Sequence, residues 1–568
     1  MKKEPKLPPR EVLRLLRPYW TGPGRKRGFL VLVLLLAAVL GGAGMGAWYS
    51  GFIKEFYDAL EKRDAAAFWK LSAILLSATA ATAVVSTLDS WLRQWLQIYW
   101  RRGLTDFFVE RWLADNNYYR IERRQSADNP DQRIAEDVKI FVEETMSLGL
   151  AFLGTVGTVV FMGVVLWQAA TPFSVAGVTI PGYLFWIAVL FGAFQVGAVH
   201  WAGHRLASLT MQQQAAEADF RFAMIQQREA AEQIAFYQGA GVERQRLGHF
   251  FDLIGLNWSR LMSNFVRMNF VSQALTTVGS LIPMYALAPK LFAGEVTIGT
   301  LMQSQGAFLS VSMSVAWFAS SYTQLITWSA VTRRLIGLNL SIDEPEACGV
   351  AVGTAAQPGM RISALALALP TGKKLAEIGN WTLGRAQRWL VRGASGVGKS
   401  TLLRAAAGIW PYGSGTVVLP ADAKMMFLPQ KSYIPTGTLK EALCYPASAD
   451  TVDDGACERS LVACRLPHLA GELHAVSRWS HRLSGGEQQR IAFARVLLAR
   501  PDFLFMDEAT SALDNATESA LYELIHESLP DTTIVSVAHN VTLERFHDQV
   551  LELKAGQPAQ QSMLKAAA

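Results

Sequence analysis

A chain of 568 residues is too long for one hydrophobic core, so more than one domain is expected. Hydrophobic residues make up 51% of it, charged residues only 18%, and the mean hydropathy is +0.19, which excludes an ordinary soluble protein and suits one that crosses a membrane. The net charge of +6 comes with 17 tryptophans and long apolar runs, so it reads as basic residues flanking membrane spans, and no nucleic-acid partner is expected.

The N-terminal stretch MKKEPKLPPREVLRLLRPYW lacks the apolar core and small-residue cleavage site of a secretory signal. Val12, Leu13, Leu16 and Tyr19 instead give it a short amphipathic face suited to a membrane surface. A window of about 20 residues, the length that spans a bilayer as a helix, finds six spans, near 29–50, 72–95, 147–168, 180–203, 268–290 and 298–325. The second and sixth are the least clean, because Asp89 and Arg93 enter one and glutamines interrupt the other.

Arginines and lysines crowd the N-terminus, the loop after the second span (Arg101 to Arg133) and the stretch after the sixth (Arg333, Arg334), whereas AATPFSVAGVTI between the third and fourth carries no charge. Basic residues stay on the cytoplasmic side, so both termini are expected inside. The two inside loops, 96–146 and 204–267, keep helical periodicity with mixed charge and should continue the membrane helices into the cytoplasm. Among the spans, Gln168, Gln195, Gln303, Gln305 and Gln324 with Trp48, Trp167, Trp317, Tyr285 and Tyr322 suggest a wide amphiphilic cavity within a bundle set in lipid.

Residues 1–340 thus read as a transmembrane domain, 341–360 as a Gly-, Ala- and Pro-containing linker, and 361–568 as a soluble α/β domain with alternating strand and helix signals. The four cysteines, Cys348, Cys444, Cys457 and Cys464, have no metal-ligand spacing and read as reduced thiols.

The C-terminal region carries the chemistry. In WLVRGASGVGKSTLLRAAAG an apolar strand, a glycine loop and a helix hold the spacing G-x-x-x-x-G-K-S, from Gly393 through Ala394, Ser395, Gly396 and Val397 to Gly398, Lys399, Ser400 and Thr401. Such a loop wraps phosphates with backbone N–H groups, Lys399 adds a point charge, and Ser400 offers a hydroxyl to Mg²⁺. FLFMDEATSALD is an apolar strand ending in Asp507, placed to hold Mg²⁺, and Glu508, placed to polarise an attacking water. Gln430 in FLPQKSYIP and His539 in VSVAHN each follow an apolar strand, within reach of a γ-phosphate, and Gln430 doubles as a metal ligand. LSGGEQQR presents a helix N-terminus, an anion site made of N–H groups and the positive end of the helix dipole.

Phosphate loop, Gln430, LSGGE, MDE, SALD and His539 stand in the order expected of ATP-binding cassette (ABC) ATPases, and the set resembles that family. The resemblance implies ATP and Mg²⁺ as cofactors and Glu508, Gln430 and His539 as the hydrolytic residues. It adds Ser484, Gly485, Gly486 and Asp514 to the nucleotide-binding set, the signature acting on ATP bound by a second copy of the chain. One phosphate loop and one signature per chain therefore imply a C2 homodimer with two equivalent sites. The family's adenine-stacking aromatic is absent, since ISALALALPTGKKL offers only Leu, Ala and Pro, so base discrimination should be weak.

Six spans followed by one such ATPase resemble a half-size ABC transporter of the exporter fold. NPDQRI, E-x-IAFY-x-G and W-S-H-R-LSGGE-x-QR resemble the branch that contains peroxisomal subfamily D transporters and the bacterial YddA and SbmA/BacA-like proteins. That likeness implies a bacterial inner-membrane protein driving a peptide-like or other hydrophilic or amphiphilic solute, cobalamin among them. Acyl-CoA or lipid is the alternative within the family. An alternative of another class is a proton-coupled carrier with an idle ATPase, against which the complete set Lys399, Asp507, Glu508 and Ser484 argues.

Overall fold

The computed structural model describes residues 8–22, 24–169, 173–175, 178–346, 349–538, 540–554 and 556–564, and divides into two compact units, Met1–Glu344 and Pro345–Ala568.

The first unit is built from long helices. Pro9–Thr21 buries Leu15 and Tyr19, the Tyr19 ring stacking on Trp100 with centroids 6.4 Å apart and sitting over Gly103. Leu13, expected on its apolar face, is exposed instead. Among the described residues, five helical stretches are long and apolar enough to cross a membrane: Arg25–Glu61, Ala65–Arg124, Pro130–Ala169, Tyr183–Gly203 and Ala240–Phe292. At 1.5 Å per residue the continuous helices Ala65–Leu113 and Ala240–Phe292 measure about 74 and 80 Å, more than twice the ~30 Å hydrocarbon core. Each must therefore run well beyond it, as their charged outer halves demand.

The sixth expected span is the helix Ile298–Ser320, which ends at a turn at Ser321 before Tyr322–Asp343 continues, and it accommodates the serines and glutamines that interrupt it. The reason is its place in the bundle. It packs against Arg25–Glu61, Val138–Ala169, Tyr183–Gly203 and Ala240–Phe292, burying Leu301, Ala307, Phe308 and Val311. Its polar groups find partners inside: Ser312 Oγ donates to Ala188 O (3.1 Å), Gln305 Nε2 to Ser280 O (3.0 Å) and Ser304 Oγ to Thr300 O (2.7 Å). A helix shielded by its neighbours can carry serine and glutamine where a lipid-facing one cannot. Gln195 is likewise buried and donates to Thr276 Oγ1 (3.2 Å). Gln168, Gln324, Trp48, Trp167, Tyr285 and Tyr322 remain exposed.

Both long loops are helical hairpins. At the first tip, NPDQRI leads into a π-turn, Arg133–Asp137, where Arg334 grips buried Asp137 through two parallel bonds of 2.6 and 2.7 Å while Arg133 donates to Arg334 O. The second tip is a short helix, Ala231–Phe236, between Leu206–Glu229 and Ala240–Phe292. Buried Asn257 ties its two arms by donating to Leu209 O and Gln213 Oε1.

In the second unit, a six-stranded sheet runs in the order Gln560–Met563, Gln549–Leu553, Arg388–Gly393, Thr533–Val537, Phe503–Asp507, Met425–Leu428, parallel except for its first strand. Strands such as FLFM and TIVSV are buried throughout, as a parallel sheet covered on both faces requires. Alternate residues serve opposite cores: Leu504, Met506 and Ile534 enter one, Phe503, Phe505 and Val535 the other. A second, four-stranded sheet joins Val350–Ala355, Gly413–Pro420, Met360–Ala368 and Lys374–Leu383. The segment read as a linker is thus structured at both ends, helical to Asp343 and a strand from Val350.

Buried His547 bridges Leu543 O through Nδ1 and Ser536 Oγ through Nε2, both at 2.8 Å. A carbonyl only accepts, so Nδ1 carries the proton and Nε2 accepts from the serine. Burial pushes its pKa down to about 4, with Arg388 and Arg392 adding and Leu543 O and Asp548 opposing. A folded-state pKa below the ordinary value of about 6.5 means that this imidazole's stabilisation is complete above that pH and is lost as the pH falls toward 4. We expect melting of the ATPase unit, followed in the detergent-solubilised full chain, to weaken across this window by at most about 1.4 kcal/mol per pH unit from this group. His547→Gln should flatten the dependence.

Candidate functional site

The carboxyl ends of four parallel strands converge on one edge, where α/β sheets bind ligands. Arg388–Gly393 ends in the phosphate loop, Phe503–Asp507 in the acidic pair, Met425–Leu428 runs to Gln430, and Thr533–Val537 leads toward position 539. Strand order, not chain order, makes these loops neighbours.

The glycines of the phosphate loop have a physical cause. Gly393 has φ 151°, and a Cβ there would fall 2.5 Å from Leu553 O; Gly398 has φ 108° and leads directly into the helix Lys399–Ala406. Between them Ala394, Ser395 and Gly396 form an exposed arch, while Val397 and Thr401 are buried anchors. Lys399 is buried and donates from Nζ to Gly393 O (2.8 Å) and Ala394 O (3.2 Å), folding over the loop that it serves. Burial lowers its pKa, with the Glu508 and Asp507 charges opposing.

Ser400 Oγ donates to Asp507 Oδ1 (2.9 Å) and Gln430 Nε2 donates to Glu508 Oε2 (3.1 Å). Four predicted residues from three separate segments therefore meet. Asp507 has its pKa raised by burial; the Ser400 hydroxyl opposes this and the Glu508 charge adds to it. Glu508 itself sits at φ 49°, its N–H held by Val537 O at 3.0 Å, so the backbone turns sharply between the two acids. Among the described residues no three His, Cys, Asp or Glu side chains cluster as a metal site. Ser400, Asp507 and Gln430 carry a hydroxyl, a carboxylate and an amide oxygen, donor types that a hard divalent cation takes alongside phosphate.

The signature folds as the N-terminus of the helix Gly485–Ala499. Ser484 caps it, accepting from Glu487 N (3.3 Å), while Glu487 Oε2 accepts from Ser484 N and Ser484 Oγ (both 2.9 Å). These bonds, Ser484 N–H first, hold the Glu487 carboxyl below the ordinary range. His468 Nε2 lies 3.0 Å from the other Glu487 oxygen. Ser484 and Gly485 are exposed, and a Cβ on Gly486 would lie 3.2 Å from Ala512 O, so glycine here allows close approach to the segment after Glu508.

One further predicted residue makes its contacts elsewhere. Asp514 caps the helix Asn515–Ser528, its oxygens accepting from Thr517 N (2.9 Å) and Thr517 Oγ1 (2.7 Å), which lowers its pKa. His539 lies outside the described residues. Two buried side chains escaped the sequence reading. Glu518 accepts from Thr510 Oγ1 and from Asn540 Nδ2 (2.7 Å), joining the segment after Glu508 to the one beside position 539. Gln489 binds three separate groups, described below. Each sits on the buried face of a helix, where a Glu or Gln among apolar residues is itself a signal. The turn after Met360–Ala368, closed by Leu369 N to Lys373 O (2.8 Å), contains no aromatic residue.

Sequence comparison agrees with this geometry. The family described as ABC transporter transmembrane region 2 matches residues 15–292, and the family described as ABC transporter matches 377–511. The chain is 31% identical to the inner membrane ABC transporter ATP-binding protein YddA of Escherichia coli over 96% of its own length and 97% of that protein's. It belongs to the ABC transporter family. Other relatives are ABC transporter D family member 2, chloroplastic, of Arabidopsis thaliana (27% identical; 97% and 86% covered) and the human lysosomal cobalamin transporter ABCD4 (27%; 96% and 94%). This ABC protein is a half-size transporter, a multi-pass membrane protein with one transmembrane region and one ATP-binding domain that couples ATP hydrolysis to transport. The resemblance to YddA and to subfamily D read from its loops is borne out.

Proposed function

We propose that two copies of this chain pair head to tail in a bacterial inner membrane, termini inside, and move a hydrophilic or amphiphilic, peptide-like solute at the expense of ATP. The observation that carries the hydrolytic part is the meeting of Ser400 with Asp507 and of Gln430 with Glu508 beside buried Lys399. Bound MgATP supplies a γ-phosphoryl group polarised for attack by water. Lys399 and the N–H groups of the arch from Ala394 to Gly396 bind the phosphates. Ser400, Asp507 and the Gln430 amide oxygen would hold the cation, and Glu508 would take the proton from water that Gln430 and His539 help to orient. Ser484 and Gly486, on an exposed helix start, read the γ-phosphate held by the other copy.

The solute reading rests on the exposed Gln168, Gln324, Tyr285 and Tyr322, whose amide and phenol groups suit a ligand with polar and apolar faces. The relative named as a cobalamin transporter makes cobalamin a second candidate. To test this, proteoliposomes with ATP outside are offered labelled peptides, cobalamin and acyl-CoA, using the wild type and Glu508→Gln. ATP-dependent accumulation of peptide that Glu508→Gln abolishes is the expected result. Stimulation by acyl-CoA or lipid alone would replace the peptide reading with a lipid one, and the side of accumulation gives the direction.

A further inference from the structure

We infer that Gln489, on the second turn of the signature helix, is a positioning residue for ATP hydrolysis that sets Gln430 and the segment after Glu508 in register. Its side chain is 4% exposed. Nε2 donates to Gln430 O (3.4 Å) and to Ser511 Oγ (3.3 Å), and Oε1 accepts from Ala512 N (3.0 Å). The amide orientation is fixed by its partners, because the Gln430 carbonyl only accepts and the Ala512 N–H only donates. Both amide protons and one oxygen lone pair are thus used, and no water is needed to complete the set.

The three partners lie on the two segments that flank the hydrolytic acid. Gln430, whose backbone is held here, gives its own side chain to Glu508. Ser511 and Ala512 follow Glu508 by three and four residues, and Ser511 N donates back to Glu508 O (3.1 Å). Glu508 occupies a left-handed backbone position that its surroundings must impose. Gln489 is one such constraint, and it comes from the helix that carries Ser484. The signature and the hydrolytic residues of one chain therefore share a fixed polar contact, and loosening it should disturb chemistry more than nucleotide affinity, since none of its atoms belongs to the phosphate loop.

The inference rests on the roles given above to Glu508 and Gln430. Glu508→Gln, run in the same assay, tests those roles separately. Full-length protein in detergent or nanodiscs carrying Gln489→Leu, Gln489→Glu or Ser511→Ala is assayed for steady-state hydrolysis, with binding of a fluorescent ATP analogue as the check on folding. Gln489→Leu should lower kcat about 10- to 100-fold, the scale of a misplaced catalytic group, with the KM for ATP nearly unchanged. Ser511→Ala, at an exposed hydroxyl that does not endanger the fold, should lower kcat about two- to five-fold, the scale of one hydrogen bond.

Gln489→Glu gives the readout that simple space-filling would not move. Its carboxylate still accepts from Ala512 N but faces Gln430 O with a lone pair. Although glutamate has nearly the volume of glutamine, the lone pair facing a carbonyl should lower kcat at least as far as Gln489→Leu does. Unchanged kcat in all three variants overturns the inference. So does a rise in KM alone, or a wild-type kcat in Gln489→Glu. If Gln489→Leu fails to bind the analogue, Gln489→Glu and Ser511→Ala decide the matter by the same criteria.

Discussion

Glu508→Gln is expected to bind ATP as the wild type does and to hydrolyse it about 10²- to 10⁴-fold more slowly, the loss that follows removal of a general base. The substitution is nearly isosteric, so the sharp backbone turn at φ 49° and the bond from its N–H to Val537 O should survive. Gln430 Nε2 can still donate to the amide oxygen in place of the carboxylate. Lys399, Ser400 and Asp507 are untouched, and the neighbouring acid charge that helps to raise the Asp507 pKa disappears. Phosphate and cation binding should therefore hold or tighten while the proton acceptor is gone. ATP-dependent dimers should accumulate, visible as a shift in size-exclusion elution or as disulfide trapping between engineered cysteines. An unchanged turnover would remove Glu508 from the role of base and point to a water positioned by other groups.

The second large effect concerns sharing of sites. Lys399→Ala and Ser484→Arg should each nearly abolish hydrolysis in homodimers, the first by removing the buried ammonium from the phosphate loop, the second by putting a large cation on an exposed helix start. Mixed, they should regain activity. In a heterodimer one composite site has both defects and the other has neither, because the intact phosphate loop of one copy faces the intact signature of its mate. With random pairing, half of the dimers are mixed and one of their two sites is sound, so roughly a quarter of wild-type turnover is the ceiling for independent sites. If subunit exchange is verified by tagged pull-down and no activity returns, the signature either serves its own chain or both sites must fire together. Covalent linkage of one mutant to one wild-type copy separates those two outcomes.

Much of this molecule is written locally. Hydropathy over about 20 residues places the spans, the second and sixth least cleanly. Glycine spacing places the phosphate loop, because Gly393 and Gly398 occupy backbone angles that other residues avoid. A capping pair three residues apart, Ser484 and Glu487, places the start of the signature helix. These features depend on neighbours in the chain, so periodicity and spacing reveal them. What only the tertiary structure decided involves partners far apart in sequence. Gln489 reaches Gln430 across 59 residues and Ser511 across 22, and Glu518 reaches Asn540 across 22. No local pattern specifies those meetings; they exist because Phe503–Asp507 lies between Met425–Leu428 and Thr533–Val537 in the sheet. The central helix Ile298–Ser320 makes the same point for the membrane unit. Its serines and glutamines count against a span when averaged along the chain, and they are tolerated because the surrounding helices, not lipid, receive their hydrogen bonds.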